Sequence, residues 1–408
     1  MRCRHCDKEL THTFIDLGSS PLSNSYLTTE TINTFEKWYP LKVLVCNHCW
    51  LAQTEDFVGA DQMFSEDYAY FSSYSSFWLK PAKDYVDKII SRFHLTSKSN
   101  VVEVAANDGY LLQYILEKNI PCYGIEPTKS TAMVARMKGI EIIEDFFGEQ
   151  KAVNLVKLNK QADLIVANNV LAHVPDVNDF IRGFKILLTP LGVATFEFPH
   201  LLNLVKYSQF DTIYHEHYSY LSMIAVQTIF EKNGISIFDV EELPTHGGSL
   251  RVYAQRSDTG QHAICNSVNS LIKQEEEFGV NTLDFYQGLQ GKAETIKIEL
   301  LEFLIKAKKD NKKVVAYGAA AKGNTIMNFS GIKSDLISYV VDKNPAKEGK
   351  YMPGSRIPIK GEEYLKSDDP DYIVILPWNL KDEIISQLDY VENKKCRFVV
   401  SIPNLKVI

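Results

Sequence analysis

Between residues 99 and 147 short apolar runs alternate with stretches in which apolar residues recur every three or four positions. The segment SNVVEVAANDGYLLQYILEKNIPCYGIEPTKSTAMVARMKGIEIIEDFF reads as strand, turn, helix, strand, turn, helix, strand. Brief apolar runs bounded by turn residues suit buried strands, and the wider spacing suits the helices that cover them. Strands joined through helices in this way run parallel and build a doubly wound sheet. Just upstream, Tyr85, Ile89, Ile90 and Phe93 fall at spacings that share one helical face. VATFEF reads as a further strand of this sheet, and HLLNLVKY as a helix leading away from it. Near the start, FIDLGSSPLSNSYL and WYPLKVLVCNHCWLAQ supply candidate strands. From about residue 262 the pattern turns charged and helical. KKVVAYGAAAKGNTIMNFSG then repeats strand, small-residue loop and helix, and ISYVVDKNPAKEGKYMPGSRIPI and DYIVILPWNL add strands to this second α/β unit.

A chain of 408 residues has room for two or three domains. Hydrophobic residues make up 45% and charged residues 23%, the balance of an ordinary globular protein. The formal net charge of −7 argues against nucleic acid as a partner, since phosphate neutralisation calls for a basic surplus. It leaves room for a local sugar-phosphate site. MRCRHCDKEL has neither the apolar centre nor the small-residue cleavage site of a secretory signal. No apolar run approaches the ~18 residues of a membrane span. A cytoplasmic protein with no membrane partner is therefore expected.

In that setting the paired cysteines change the picture. Cys3 and Cys6, then Cys46 and Cys49, form two Cys-x-x-Cys elements. Two intervening residues let the backbone fold a knuckle that aims both sulfurs at one ion, and four thiolates close a tetrahedron with no open position. A structural Zn2+ site is expected, with His5 and His48 as bystanders. Free buried thiols and a thioredoxin-like motif are the alternatives; no βαβ pattern flanks either pair.

Two acidic residues mark the central sheet. Glu103 lies in its first strand, before a turn of small residues, Ala105, Ala106, Asn107, Asp108 and Gly109. Glu126 ends the second strand, followed by Pro127. A carboxylate there can accept hydrogen bonds from both hydroxyls of a ribose. The turn lacks the glycine fingerprint of a dehydrogenase. VVEVAANDGYLL instead resembles the first motif of class I S-adenosylmethionine-dependent methyltransferases, in an E-x-x-x-N-D-G form. The resemblance implies S-adenosylmethionine as cofactor, with Asp145, Phe146 and Phe147 near its adenine. ADLIVANNVLAHVPD resembles the fourth motif, which implies that Asn168 and Asn169 face the methionine part and that His173 lines the site.

The stretch Ile213-Tyr214-His215-Glu216-His217 packs imidazole, carboxylate and phenol together. Three readings are open: proton transfer, a metal site lacking an evident third ligand, or a charged surface turn. In THGGSLRVY, which contains Arg251, the paired glycines suit either a close backbone approach to a ligand or a plain tight turn. In GAAAKG the residues Gly318, Ala319, Ala320 and Gly323 let amides at a helix start face an anion, and Lys322 adds a point charge. A turn shaped only for packing is the other reading.

Taken in order, the two Cys-x-x-Cys pairs, YAYFSSYSSFW, VVEVAANDG, FDTIYHEHYSYLS, THGGSLRVY and YGAAAKGNT resemble the C-methyltransferases of deoxysugar biosynthesis along almost the whole chain. These enzymes methylate C-3 of a nucleotide-linked 4-keto-6-deoxy sugar through an enolate. The resemblance implies His217 as the base, with Glu216, Tyr214, His173 and Tyr68 or Tyr70 completing the sugar pocket. It assigns the C-terminal lobe to the nucleoside diphosphate, dTDP in preference to GDP. Ala320, Lys322, Gly323, Asn324, Lys347, Lys350, Asn379 and Arg251 are then the substrate contacts. The expected organisation is a zinc-binding segment over 1–66, a class I methyltransferase domain over 67–261 and a Rossmann-like lobe over 262–408, in a monomer. An O- or N-methyltransferase acting on a nucleotide sugar is one alternative, and a non-catalytic zinc-ribbon adaptor with vestigial nucleotide folds is another.

Overall fold

The computed structural model describes the chain apart from residues 60–62, 64–70, 75 and 393–395. Its contacts divide it into two compact units, each drawn from separate stretches. Met1–Thr11, Cys46–His200 and Tyr218–Leu283 form the first; His12–Val45, Leu201–His217 and Asp284–Ile408 form the second.

In the first unit, strands β1 (Val101–Val104), β2 (Cys122–Ile125), β3 (Glu141–Ile143), β4 (Ala162–Asn168), β5 (Leu188–Pro199), β6 (Ile235–Leu243) and β7 (Ser249–Arg256) make one sheet. Their spatial order is 6-7-5-4-1-2-3. β1 to β5 pair in parallel, while β7 runs antiparallel to both β5 and β6. The central strands are mostly apolar, with Glu103 in β1 and Asp163 in β4 among the exceptions, as suits strands covered by helices on both faces. The helix Ser76–Phe93 buries Tyr85, Val86 and Ile89 against Val101, Leu164 and Val193, with Ile90 and Phe93 at the margin. Each fully buried aliphatic side chain contributes about 1.5–3 kcal/mol. The strand order reverses between β1 and β4, so the loops at their C-terminal ends splay apart, where open α/β sheets bind ligands. A short antiparallel pair, Ala52–Thr54 with Ser219–Tyr220, lies elsewhere in this unit.

The second unit carries β8 (Val314–Tyr317), β9 (Val340–Val341), β10 (Ile359–Lys360), β11 (Tyr372–Ile375), β12 (Arg397–Val400) and β13 (Lys406–Val407) in the order 10-9-8-11-12-13. All pairings but the last are parallel. This order too reverses, between β8 and β11. The helix Leu289–Lys309 buries Leu289, Ala293, Ile296, Leu300, Leu304 and Ala307, the spacing of a single apolar stripe. Both candidate strands near the start form: His12–Ser20 pairs antiparallel with Tyr39–Val45. The first ends at Pro21, which has no N–H for a ladder. Among the described residues no helix is long and apolar enough to cross a membrane.

Candidate active site

The four cysteines meet in the first unit, their sulfurs all within 4.8 Å of one another. Cys3 and Cys49 are 3.5 Å apart, as are Cys6 and Cys46. Four thiolates on one zinc at about 2.3 Å stand roughly 3.8 Å from each other, so the set fits that ion. The two knuckles repeat one geometry. The amide of Asp7 donates to the Cys3 carbonyl and that of Trp50 to the Cys46 carbonyl, each at 2.9 Å. Asp7 and Trp50 both take positive φ, 59° and 60°. His5 turns to Asn178 at 2.8 Å and His48 is exposed, so neither faces the cluster.

At the reversal in the same unit the turn after β1 alternates left-handed residues: Ala105 at φ 58°, Asn107 at 50° and Gly109 at 74°. For an alanine this costs about 1–2 kcal/mol, a strain kept where backbone must be presented. Glu126 fastens the turn. One carboxylate oxygen accepts from the Asn107 amide and the other from the Thr128 amide, both at 2.9 Å. Each oxygen keeps a lone pair for a further donor. Burial pushes the Glu126 pKa up, and those two amides pull it back. Glu103 is 1% exposed and is held well above the usual carboxylate range by burial, then by Asp108 and Glu126. A short turn from upstream lies on the loop: the Ser72 amide donates to Asn107 Oδ1 at 2.9 Å and the Ser73 amide to Asp108 Oδ2 at 3.1 Å.

At the end of β4 the side-chain oxygens of Asn168 and Asn169 are buried with no hydrogen-bond partner among the described residues. Two orphaned acceptors at a strand end suit a cationic amino group. Phe147 turns inward, edge-on to Phe180 and Phe184. Phe146 is 45% exposed and Asp145 is ion-paired with Lys151, so of the two rings Phe146 is the one open to a ligand. Pro127 is half-buried beside Glu126. His173 is half-buried and closes the turn Leu171–His173, whose other two residues are buried. Tyr68 and Tyr70 lie outside the described residues.

Arg251 sits opposite Glu197 in the β7–β5 register. Its Nη2 donates to Glu197 Oε2 at 2.5 Å, and its guanidinium lies 4.4 Å from the centre of the Tyr85 ring. Burial opposes its charge, and Glu197 more than offsets this, raising its pKa. The guanidinium is thus engaged inside the sheet. The paired glycines before it, Gly247 and Gly248, take φ of 87° and 114°, so a tight turn accounts for them.

Tyr214 and His217 come together in the second unit. His217 Nδ1 lies 2.9 Å from the Thr212 carbonyl. A carbonyl only accepts, so Nδ1 carries the proton and Nε2 keeps its lone pair. Nε2 is 2.9 Å from the Tyr214 hydroxyl, and the two ring centres lie 4.0 Å apart with the planes tilted by 33°. Glu216 is 2% exposed and accepts from Asn24 Nδ2 at 3.2 Å; burial raises its pKa. His215 points elsewhere, to the Pro40 carbonyl at 3.1 Å, and burial lowers its pKa. It holds the strand Tyr39–Val45.

Beside this segment lies the reversal of the second sheet. The loops 318–320 and 376–379 follow β8 and β11 there. Lys322 donates to Asn379 at 2.9 Å and lies 4.8 Å from the Trp378 ring centre. The Trp378 indole donates to Asp211 Oδ2 at 2.8 Å. Lys347 donates to the Ala319 carbonyl at 2.7 Å and to Asp342 at 3.1 Å, and Tyr26 donates to the same carbonyl at 2.6 Å. Asn324 is wholly buried, donating to the Ser23 carbonyl at 2.6 Å. Lys350 is half-buried, with its carbonyl taken by Ile359. Ala320 starts the helix Ala321–Ser330. A Cβ on Gly318 would meet Pro377 at 2.4 Å and one on Gly323 would meet Leu376 at 2.7 Å, so packing accounts for both glycines. Asn24, Tyr26, Asp211, Asp342 and Trp378 were not singled out by sequence. Asp211 and Trp378 stand within quoted motifs, but no local spacing links them.

Comparison with known proteins agrees along the whole chain. Residues 3–64 match a zinc binding domain family, 78–240 a methyltransferase domain family, and 244–403 the family described as C-methyltransferase C-terminal domain. The C-methyltransferase NovU of Streptomyces niveus is 32% identical over 407 residues, covering 100% of this chain and 96% of that protein. Among solved structures, an S-adenosylmethionine-dependent methyltransferase from Clostridium acetobutylicum is 12% identical at TM-score 0.36, covering 43% of this chain and 91% of its own. The magnesium protoporphyrin IX methyltransferase of Synechocystis with bound SAM is 16% identical at TM-score 0.33, covering 43% and 79%.

Proposed function

Since the chain belongs to the C-methyltransferase family and is an S-adenosylmethionine-dependent enzyme, we propose that it methylates C-3 of a nucleoside-diphosphate 4-keto-6-deoxyhexose, dTDP-linked rather than GDP-linked. The observation that supports this most directly is the tautomer of His217: the Thr212 carbonyl holds Nδ1–H, so Nε2, which faces the Tyr214 hydroxyl, carries the lone pair. A hydrogen on carbon beside a ketone is weakly acidic, and a base with pKa near neutrality removes it best. In this reading His217 Nε2 takes the C-3 proton, leaving an enolate. Its Nδ1–H stays on the Thr212 carbonyl, which steadies the imidazolium. The Tyr214 hydroxyl reverses from donor to acceptor as Nε2 becomes protonated. Glu216, His173 and Tyr68 or Tyr70 are assigned to the sugar by motif resemblance alone.

When bound, S-adenosylmethionine supplies an electrophilic methyl group for carbon. Glu126 would hold its ribose, Asn168 and Asn169 its methionine part, and Asp145 with Phe146 its adenine. Lys322, Asn379 and Lys347 would take the diphosphate at the second sheet's reversal. Cys3, Cys6, Cys46 and Cys49 would hold zinc through four sulfurs with no position left open, so its part would be structural. The enzyme would work as a monomer in the cytoplasm.

The test is incubation with a labelled methyl donor and a panel of 4-keto-6-deoxy nucleotide sugars, read by mass spectrometry, with C-3 deuterium exchange followed in heavy water. His217→Asn should bind both ligands and lose exchange and methylation together. Undiminished exchange in that variant would remove His217 from the role of base.

A further inference from the structure

Asp211 is a carboxylate buried to 1% exposure that the chemistry above does not use. It lies in the turn Phe210–Thr212, directly before the motif that carries His217. One oxygen, Oδ2, accepts from the Trp378 indole at 2.8 Å. The other, Oδ1, is buried with no hydrogen-bond partner among the described residues. A buried, half-satisfied carboxylate costs several kcal/mol, so a purely packing role would be filled better by an apolar residue. The next residue, Thr212, supplies the carbonyl that sets which nitrogen of His217 is protonated. Its hydroxyl is tied back to the Gln209 carbonyl at 2.7 Å, and the Ile213 carbonyl accepts from Thr325 at 2.8 Å. The turn is thereby pinned on both sides of Asp211. Trp378 comes from the loop after β11, which also bears Asn379, the partner of Lys322.

We propose that Asp211 is a positioning residue. Held by Trp378 at the edge of the second sheet, it fixes the Phe210–Thr212 turn so that the Thr212 carbonyl keeps His217 as its Nδ1–H tautomer. It acts through His217 and touches neither substrate nor methyl donor. The proposal rests on His217 being the base, and the experiment separates the two claims.

Histidine-labelled protein is examined by nitrogen NMR, with the His217 signals assigned through His217→Asn. In the wild type Nδ1 should give the protonated signature and Nε2 the lone-pair signature. In Asp211→Ala and in Trp378→Phe the two should move toward an averaged position. The C-3 exchange rate should fall by up to about 100-fold, as expected when a catalytic group is misplaced by around 1 Å. Affinity for S-adenosylmethionine, measured by calorimetry, should stay as in the wild type. Asp211→Asn keeps an acceptor for Trp378 and should restore much of the tautomer bias. Unchanged His217 signals together with an exchange rate within about threefold of wild type in both Asp211→Ala and Trp378→Phe would overturn the proposal. If His217→Asn exchanges normally, the base assignment fails instead, whatever the tautomer data show.

Discussion

Replacing Arg251 by methionine tests whether this residue serves the fold or the sugar. The motif around it suggests a substrate contact, whereas the structure closes its guanidinium onto Glu197 at 2.5 Å, with 8% and 4% exposure for the two residues. Methionine matches the length of the stem and removes the charge, leaving the Glu197 carboxylate buried without its cation. Breaking a buried pair from one side costs about 3–5 kcal/mol. Loss of the Tyr85 contact adds about 0.5–2 kcal/mol. Glu197→Gln alone should also destabilise, because Arg251 is then the unpaired charge, although Thr245, which donates to Glu197 at 2.8 Å, keeps an acceptor. The double variant removes both charges and should lie well above the sum of the singles, with a coupling of about 2 kcal/mol or more. Urea unfolding followed by far-ultraviolet circular dichroism gives the stabilities, and calorimetry gives ligand affinities. If Arg251→Met were to lose less than about 1 kcal/mol while sugar-nucleotide affinity collapsed, the ion-pair reasoning would be refuted.

Other measurements bear on the remaining parts. One zinc per chain is expected by elemental analysis; Cys49→Ser should abolish it and lower the unfolding temperature, and full metal content in that variant would contradict a four-sulfur site. Glu126→Ala removes the acceptor of the Asn107 and Thr128 amides. Charge-assisted bonds contribute about 1.5–3 kcal/mol each, so S-adenosylmethionine affinity should drop at least tenfold; unaltered binding would exclude that residue. Burial pushes Asp211 up to about 6, against the pull of Lys322 and Trp378. The folded state therefore holds this proton more tightly than the unfolded chain, whose carboxyl titrates near 3.9. The contribution is lost as pH rises from about 4 through 6, amounting to roughly 3 kcal/mol. Asp211→Asn should flatten stability across that window, and an unflattened profile would show that the carboxylate is not perturbed.

Features whose parts are neighbours in sequence were legible before the structure. Each cysteine knuckle is a local turn, and matched spacing alone brought Cys3, Cys6, Cys46 and Cys49 together. The methyltransferase sheet was legible for the same reason: the strand–turn–helix rhythm around Ala105–Gly109 and Glu126 occupies one continuous stretch. The surroundings of His217 were not. Glu216 meets Asn24, Asp211 meets Trp378 and Ala319 meets Tyr26, and no periodicity connects such distant positions. Small residues were ambiguous as well. Gly318 and Gly323 read as an opening for an anion, yet each makes room for a side chain, Pro377 and Leu376. The motif left the role of His215 open beside His217, and only a turn in the backbone sends one to Pro40 and the other to Tyr214.

The division of the chain into interleaved stretches has a consequence for its synthesis. Residues 12–45 leave the ribosome early, yet they finish in a body completed by Asp284–Ile408. Phe14 waits for Tyr286, and the Asp16 amide for Gln290. At 5–20 residues per second the delay is about tens of seconds. Throughout it, an early-closed zinc clasp would hold both ends of an orphaned β-ribbon near one point. A nascent polypeptide in that state is a natural client for chaperones, and loss of the clasp would show first as poor yield from translation, before any effect on turnover.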